Sequence, residues 1–215
     1  LWAESAPGGV DYYFMGGESM DDVVADYRAL TGAAPMFPKQ AFGLFMSKER
    51  YVDQARIVQV AENFRKAQFP LDYIVQDWQY WGSDKDGTWS GRTWDPVRFP
   101  NPKGMADSIH KLNLKLMVSI WPSVGNDTAL GKELDQHGLR FEPLHWISKK
   151  ARVYDAYSPK GRQIYFKHVK SGLLDKGVDA LWMDGTEVEV GSAAWDPVKN
   201  EEDIKSLGNN ALGDF

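Results

Sequence analysis

Cysteine is absent from the 215-residue sequence, which excludes disulfide bridges, zinc–thiolate sites and a thiol nucleophile. No apolar run approaches the roughly 18 residues that a membrane-spanning helix requires, so we expect no membrane partner. The four histidines are scattered, and none stands at metal-ligand spacing from another. The phosphate-binding patterns GxGxxG and GxxxxGK[ST] are missing as well. We therefore expect neither a metal nor an organic cofactor.

Positive charge is also in short supply. The sequence has 25 Lys and Arg against 30 Asp and Glu, a net charge of −5. It has no basic stripe, so we expect no nucleic-acid partner. A basic segment followed by an apolar one is not found, and any signal peptide therefore lies outside this sequence. The compartment is undetermined, and a periplasmic or extracellular location stays open.

Aromatic residues, by contrast, are abundant. Nine Trp, nine Tyr and ten Phe make up 13% of the chain, and several Trp stand at the ends of predicted strands. Rings in such places either belong to the core or form flat platforms for the apolar faces of sugar rings. The composition alone leaves both interpretations open.

Short apolar runs alternate with helical patterns along most of the chain. The runs predict strands over residues 41–47, 71–77, 115–121 and 179–184, and a further short strand over 152–157. Helices are predicted over 19–30, 50–68, 103–112, 127–137 and 159–174, a strand over 10–17, and a loop with a helix near 201–207 at the end. Strands that alternate with helices are typical of βαβ units and a parallel sheet. The mostly apolar strand over 179–184 is expected to be buried on both faces.

Three chemistry-bearing residues end successive strands of this pattern: Asp77, Trp121 and Asp184. Active sites of α/β barrels lie at the carboxyl ends of their strands. A carboxylate such as Asp184 can attack an acetal carbon, and Asp77 can accept hydrogen bonds from sugar hydroxyls. The structural alternatives are a turn at Asp184, a loop cap at Asp77 and a core ring at Trp121.

The residues around these strand ends add further candidates. Residues 78–101 form an irregular insertion with four indoles, which indicate either a satellite core or a binding rim: Trp78, Trp81, Trp89 and Trp94. Glu187 and Glu189 follow Asp184. Their spacing favours support of the pocket or simple solvation over a role as acids.

These segments together resemble glycoside hydrolase family 31, the retaining α-glycosidases that act on α-glucosides and α-xylosides. The matching segments follow one another in family order between residues 35 and 190: FGLF at 42–45, IVQDWQYW at 74–81, WDPVRFPNP at 94–102, KLMVSIWP at 115–122, YDAYSP at 154–159 and DALWMDGTE at 179–187. IVQDW followed by YW is similar to the α-xylosidase-like branch of the family.

The resemblance implies roles for individual residues. It implies that Asp184 is the catalytic nucleophile, that Asp77 contacts sugar hydroxyls in the cleavage subsite, and that Trp121 lines the same subsite. Further substrate-binding positions implied by the resemblance are Phe45 near the pocket floor, Trp78, Trp182 and Glu187. The general acid/base of the family is an Asp beyond residue 215.

The fold implied by the resemblance is α/β. Residues 35–215 would be the incomplete N-terminal half, strands 1–4, of a catalytic (β/α)8 TIM barrel. Residues 1–34 would be the end of an N-terminal β-sandwich domain and a linker helix. A half barrel leaves strand edges unpaired, so we expect self-association through these open edges. We also expect little turnover by the isolated fragment, because one carboxylate of the required pair is missing.

Two functions follow as hypotheses. The first is hydrolysis of terminal α-linked xylosides or glucosides by a retaining double displacement, with an oligosaccharide or glycoside as substrate. The second is a non-catalytic carbohydrate-binding half barrel, because the acid/base half is missing. A different barrel enzyme such as an aldolase would need a Lys at a strand end for a Schiff base, and no predicted strand ends in Lys. The exact sugar and linkage are left open.

Overall fold

The computed structural model describes residues 13–83 and 85–186. Its elements in chain order are α1 (Met20–Thr31), β1 (Phe45–Met46), α2 (Gln54–Lys66), β2 (Tyr73–Gln76), α3 (Pro102–Lys111), β3 (Lys115–Ile120), β4 (Ser123–Gly125), α4 (Ala129–Gln136), β5 (Arg140–Leu144), β6 (Ala151–Tyr154), α5 (Pro159–Gly172) and β7 (Ala180–Met183). Short 3₁₀ turns lie at Lys39–Phe42 and Leu174–Lys176. Within this part of the chain, no helix is long and apolar enough to cross a membrane.

The main sheet has four parallel strands in the order β1-β2-β3-β7. Helix α2 connects β1 to β2, α3 connects β2 to β3, and α5 precedes β7. Each new strand is therefore added beside the previous one, as in the first four units of a (β/α)8 barrel. This order confirms the predicted parallel α/β architecture.

The helices around the sheet begin at side-chain caps that satisfy free backbone N–H groups. Asp53 accepts from the Arg56 amide at 2.7 Å, and Asn101 accepts from the Gly104 amide at 2.9 Å. Ser158 caps α5, with Pro159 in its first turn. A side-chain cap stabilises the first turn of a helix by about 1 kcal/mol. The cap at Asp53 explains why α2 begins four residues later than the predicted helix over 50–68.

The core lies between the sheet and the helices that cover it. Buried side chains of the helices, Ile57 and Ile109 among them, pack against Ile74 of β2 and Leu116 of β3. Burial of an Ile or Leu side chain contributes about 1.5–3 kcal/mol, so this layer holds the strands in register. The layer thereby determines where each strand ends relative to its neighbours.

The first strand is shorter than the sequence pattern predicts. Of the run over 41–47, only Phe45–Met46 pairs with β2, and Lys39–Phe42 forms a 3₁₀ turn that follows Pro38. The Ala41 amide bonds to the Pro38 carbonyl at 2.9 Å and the Gly43 amide to the Gln40 carbonyl at 3.1 Å. These local bonds take the backbone groups that a longer strand would need.

The last strand of the sheet is less buried than predicted. Trp182 is 45% exposed and Met183 is 68% exposed, so the expectation of a strand buried on both faces is wrong for the described structure. β7 is the outer strand of this sheet, and no described residue covers its far side. The apolar sequence therefore predicted the strand correctly and its burial incorrectly.

A second, antiparallel sheet has the strand order β4-β6-β5. Its strands come between β3 and α5 in the sequence. The sequence pattern predicted β6 and missed β4 and β5. β4 has only three residues, and β5 contains Pro143, which is a poor strand residue. Both strands pair with β6, and this pairing between segments distant in sequence leaves no local pattern from which to predict them.

The amino-terminal part of the described chain contains one confirmed element. α1 matches the predicted helix over 19–30, and Ser19 and Asp22 form its capping box. None of its residues is buried, so the helix contributes no residue to the core of the described structure. The described residues of the predicted strand over 10–17 are not in a strand. The β-sandwich assignment for residues 1–34 stays a prediction, and the loop and helix predicted beyond residue 190 lie outside the described residues.

Candidate active site

The residues predicted to carry chemistry follow directly after the strands of the main sheet. Asp77 comes after β2, Trp121 after β3 and Asp184 after β7. Ile120 is level with Met183 in the register of β3 and β7, and the Asp184 amide donates to the Ile120 carbonyl at 2.9 Å. Because all the strands run in the same direction, the three residues stand at one edge of the sheet.

Asp77 is a half-buried carboxylate in an acidic neighbourhood. Burial raises the pKa of its carboxyl to about 6, the nearby charges of Asp184 and Glu49 add to the rise, and the Ser119 hydroxyl opposes it. Its Oδ1 atom is buried and has no hydrogen-bond partner among the described residues. An acceptor oxygen without a donor is costly unless a ligand supplies one.

Asp184 bonds to the residue that follows it and also belongs to this acidic group. Its Oδ1 accepts from the Gly185 amide at 2.8 Å, and Gly185 has a φ of 58°, where glycine is favoured. This local bond fixes one carboxylate oxygen.

Trp121 is both a core residue and a strand-end residue. Its side chain is only 6% exposed, and its ring packs against Trp89 at a centroid distance of 5.4 Å and against His145 at 5.5 Å. Its indole Nε1 is buried without a hydrogen-bond partner in the described part of the chain. Trp121 thus offers a donor whose partner the described residues do not supply.

The insertion after β2, residues 78–101, is here named the tryptophan-rich loop. All four of its indoles belong to the main hydrophobic cluster or pack against it: Trp78, Trp81, Trp89 and Trp94. Trp78 is half-buried and meets Trp89 edge-on at 5.5 Å. The indoles of the loop therefore extend the main core next to the site.

The structure places the other predicted site residues differently. Phe45 stacks on Tyr73 at 4.3 Å, at the other end of β2 from Asp77. Trp182 lies two residues before Asp184, is level with Ser119 and is 45% exposed. Glu187 lies outside the described residues. Substrate-binding roles for these three remain predictions.

Three residues near the site were not identified from the sequence. Glu49 lies in the loop after β1, between the predicted strand over 41–47 and the predicted helix over 50–68, and its carbonyl accepts from the Trp78 amide at 2.9 Å. His145 is buried against Trp89 and Trp121, and burial together with Lys149 lowers its pKa to about 4. Arg92 is buried behind Trp121. A single His or Arg in an aromatic stretch gives no spacing signal.

No group of three or more His, Asp or Glu side chains within residues 13–83 and 85–186 could hold a metal ion. What the site offers is carboxylate acceptors, an indole donor and aromatic surface. This combination suits a polyhydroxylated ligand with an apolar face.

A parallel α/β half barrel with carboxylates at its strand ends belongs to the class of barrel enzymes. Residues 34–210 match the model of the glycosyl hydrolases family 31 TIM-barrel domain, and the chain belongs to glycoside hydrolase family 31. It is 40% identical over 191 residues to an α-xylosidase of Saccharolobus solfataricus, covering 89% of this chain and 24% of that protein. It is 31% identical to α-xylosidase A of Aspergillus niger, covering 81% of this chain and 24% of that protein.

Solved structures agree with the sequence comparisons. The crystal structure of a family 31 α-xylosidase from Xanthomonas citri superposes with a TM-score of 0.79 at 39% identity, covering 91% of this chain and 21% of that one. The chain spans about a quarter of the length of the two α-xylosidases compared above. The predicted family and the predicted half-barrel fold are confirmed.

Proposed function

We propose that this chain supplies the nucleophile side of a retaining α-glycosidase that hydrolyses terminal α-linked xylosides or glucosides. The observation that carries the proposal is the meeting of Asp184 and Asp77 at one edge of the sheet, where the two carboxylates interact electrostatically. α-Xylosidases and α-glucosidases among the relatives support this substrate class.

In the proposed reaction a carboxylate oxygen of Asp184 attacks the anomeric carbon of the sugar. The bond from that carbon to the leaving oxygen breaks, and the leaving oxygen takes a proton from a general acid. Water then attacks the anomeric carbon and gives a proton to the conjugate base of that general acid; the bond to Asp184 breaks, which restores both groups and gives net retention. We assign the general acid to a residue outside this chain.

Asp77 and Trp121 bind the sugar in this proposal. The buried Oδ1 of Asp77 accepts a hydrogen bond from a hydroxyl, and a charge-assisted bond of this kind contributes about 1.5–3 kcal/mol. The Trp121 indole N–H donates to a second polar group of the ligand. Both groups gain the partner that the described residues lack.

The test is azide rescue in the full-length protein. Asp184→Ala should lower turnover of an aryl α-xyloside by about 10⁴-fold or more, because the covalent route is lost. Azide should fill the vacated space, restore part of the rate and yield the β-glycosyl azide. Rescue in Glu187→Ala instead of Asp184→Ala would transfer the nucleophile role to Glu187.

Asp77→Asn separates hydroxyl binding from acid catalysis. As a hydroxyl acceptor, Asp77 should matter equally for substrates with good and with poor leaving groups. If the variant lost activity only on substrates with poor leaving groups, Asp77 would be the general acid. A good leaving group departs without a proton, so loss of the proton donor does not slow the cleavage of such a substrate.

Carbohydrate binding without turnover is the second candidate function. It is favoured by the binding groups Asp77 and Trp121, whose buried polar atoms have no partner among the described residues and could be satisfied by a sugar without any reaction. Calorimetric binding of xylose by a protein with no detectable hydrolysis would establish it.

A further inference from the structure

The tryptophan-rich loop contains a buried cation, Arg92, whose side chain turns toward the end of β3. Arg92 is 1% exposed. Its guanidinium stacks over the Tyr165 ring at 4.6 Å and donates to the Tyr165 hydroxyl. No described carboxylate pairs with it. A buried charge without an ion pair persists only where its donors are satisfied by other acceptors.

The acceptors bonded to the two Nη atoms of Arg92 converge on the backbone of Trp121, whereas its buried Nε has no hydrogen-bond partner among the described residues. Nη2 of Arg92 donates to the Trp121 carbonyl at 2.5 Å, and the Tyr165 hydroxyl donates to the same oxygen at 2.9 Å. Nη1 donates to the Ser90 hydroxyl oxygen at 2.5 Å, and the Trp121 amide donates to that same hydroxyl at 3.1 Å. The peptide groups on both sides of Trp121 are therefore held through Arg92 and its partners.

The backbone of the loop carries strain to make these contacts. Ser90 has a φ of 44° and Arg92 a φ of 60°, in the left-handed region that costs a non-glycine residue about 1 kcal/mol or more. Among the described residues of the loop, Gln79 also has a left-handed φ, of 59°, but Ser90 and Arg92 are the two that bond to Trp121. Such a cost persists only where the surrounding structure determines the conformation.

We propose that Arg92 is a positioning residue, which fixes the backbone of Trp121 and so holds the Trp121 ring and indole N–H at the sugar-binding edge. Its kinetic consequence rests on the function proposed above. The planar guanidinium bonds the Trp121 carbonyl and the Ser90 hydroxyl at once, which an ammonium group does not reproduce. Arg92→Lys should therefore keep the positive charge but fail to hold the Trp121 backbone in position.

The direct test observes Trp121 itself and needs no activity. The protein is labelled with 5-fluorotryptophan, and Trp121→Phe identifies the Trp121 signal among the nine tryptophans by ¹⁹F NMR. Arg92→Met should shift or broaden this signal. Arg98→Met is the matched control, because Arg98 lies in the same loop and bonds to the Gln79 and Gly82 carbonyls at 2.6 and 2.8 Å, away from Trp121.

The result that overturns the proposal is an unchanged Trp121 signal in folded Arg92→Met. If Arg92→Met does not fold, Tyr165→Phe decides, because it removes one donor to the same carbonyl and leaves the buried charge in place. The proposal requires this variant to move the Trp121 signal as well, and an unmoved signal would overturn it.

A kinetic cycle tests the consequence for binding. Arg92→Met should raise the KM of an aryl α-xyloside by about 10-fold or more, the equivalent of one charge-assisted hydrogen bond. In a Trp121→Ala background, Arg92→Met should raise KM very little more. If the effects of the two substitutions on KM were fully additive, Arg92 would act at a place other than Trp121. A parent protein without turnover would refute the proposed glycosidase function, and the NMR result would still decide the role of Arg92.

Discussion

Replacing Asp77 by asparagine should stabilise the fold at neutral pH. Burial, with the charges of Asp184 and Glu49, raises the pKa of the Asp77 carboxyl from 3.8 to about 6, against the effect of Ser119. The folded protein therefore binds this proton more tightly than the unfolded chain does. The free energy of unfolding should fall as pH rises from about 4 to about 6 and stay level above that range.

The size of the effect follows from the two pKa values. A pKa change from 3.8 to about 6 corresponds to an upper limit of about 3 kcal/mol. Because the carboxyl is only half-buried and water screens its charge, we expect about 1–2 kcal/mol. Asn keeps the shape of the side chain without the charge, so Asp77→Asn should be more stable than the parent by this amount at neutral pH.

The assay is urea unfolding of the parent and the variant between about pH 4 and about pH 8. The difference in unfolding free energy should grow across the range in which Asp77 ionises. Asp107→Asn is the control, because Asp107 is an exposed helix residue whose only described ion pair is with Lys103 at 3.0 Å, and such pairs contribute little. A difference for Asp77→Asn that does not change with pH would refute the reasoning.

Two further predictions concern other parts of the chain. Burial disfavours the charge of Asp179, but bonds from Lys115, the Leu116 amide and His110 outweigh it and lower the pKa of Asp179. Asp179→Asn should therefore lower the free energy of unfolding by about 1 kcal/mol at neutral pH and by progressively less below about pH 4. Urea unfolding at neutral and at acidic pH measures this loss of stability. An equal loss at both pH values would contradict the prediction. The isolated chain should self-associate through its open β1 and β7 edges, and Met183→Lys should reduce this in light scattering; a monodisperse parent monomer with cooperative melting would count against it.

Sequence patterns predicted the parts of this fold that depend on local physics. Ser158 followed by Pro159 marked the start of α5, and strand-end residues such as Asp77 and Asp184 marked the edge where the site lies. Parallel strands place successive carboxyl ends together, so the pairing of these carboxylates needed no detailed packing information.

The parts that could not be predicted depend on contacts distant in sequence. The exposure of Met183 depends on which strands flank β7, and the residues of β7 themselves carry no such information. The position of Arg92 follows from Tyr165, 73 residues away, and from an unusual backbone conformation. A pattern of neighbouring residues contains neither fact.

The attachment of the tryptophan-rich loop to α5 has a consequence for the order of folding. The Trp94 indole donates to the Gly172 carbonyl at 3.0 Å across 78 residues of sequence, and a side chain at Gly172 would collide with the Arg92 carbonyl. During synthesis, the loop leaves the ribosome before its anchor exists. β2 and β3 can pair while the wall behind Trp121 is still loose, and closing so long a loop is slow. The site is therefore completed late, only when α5 has docked.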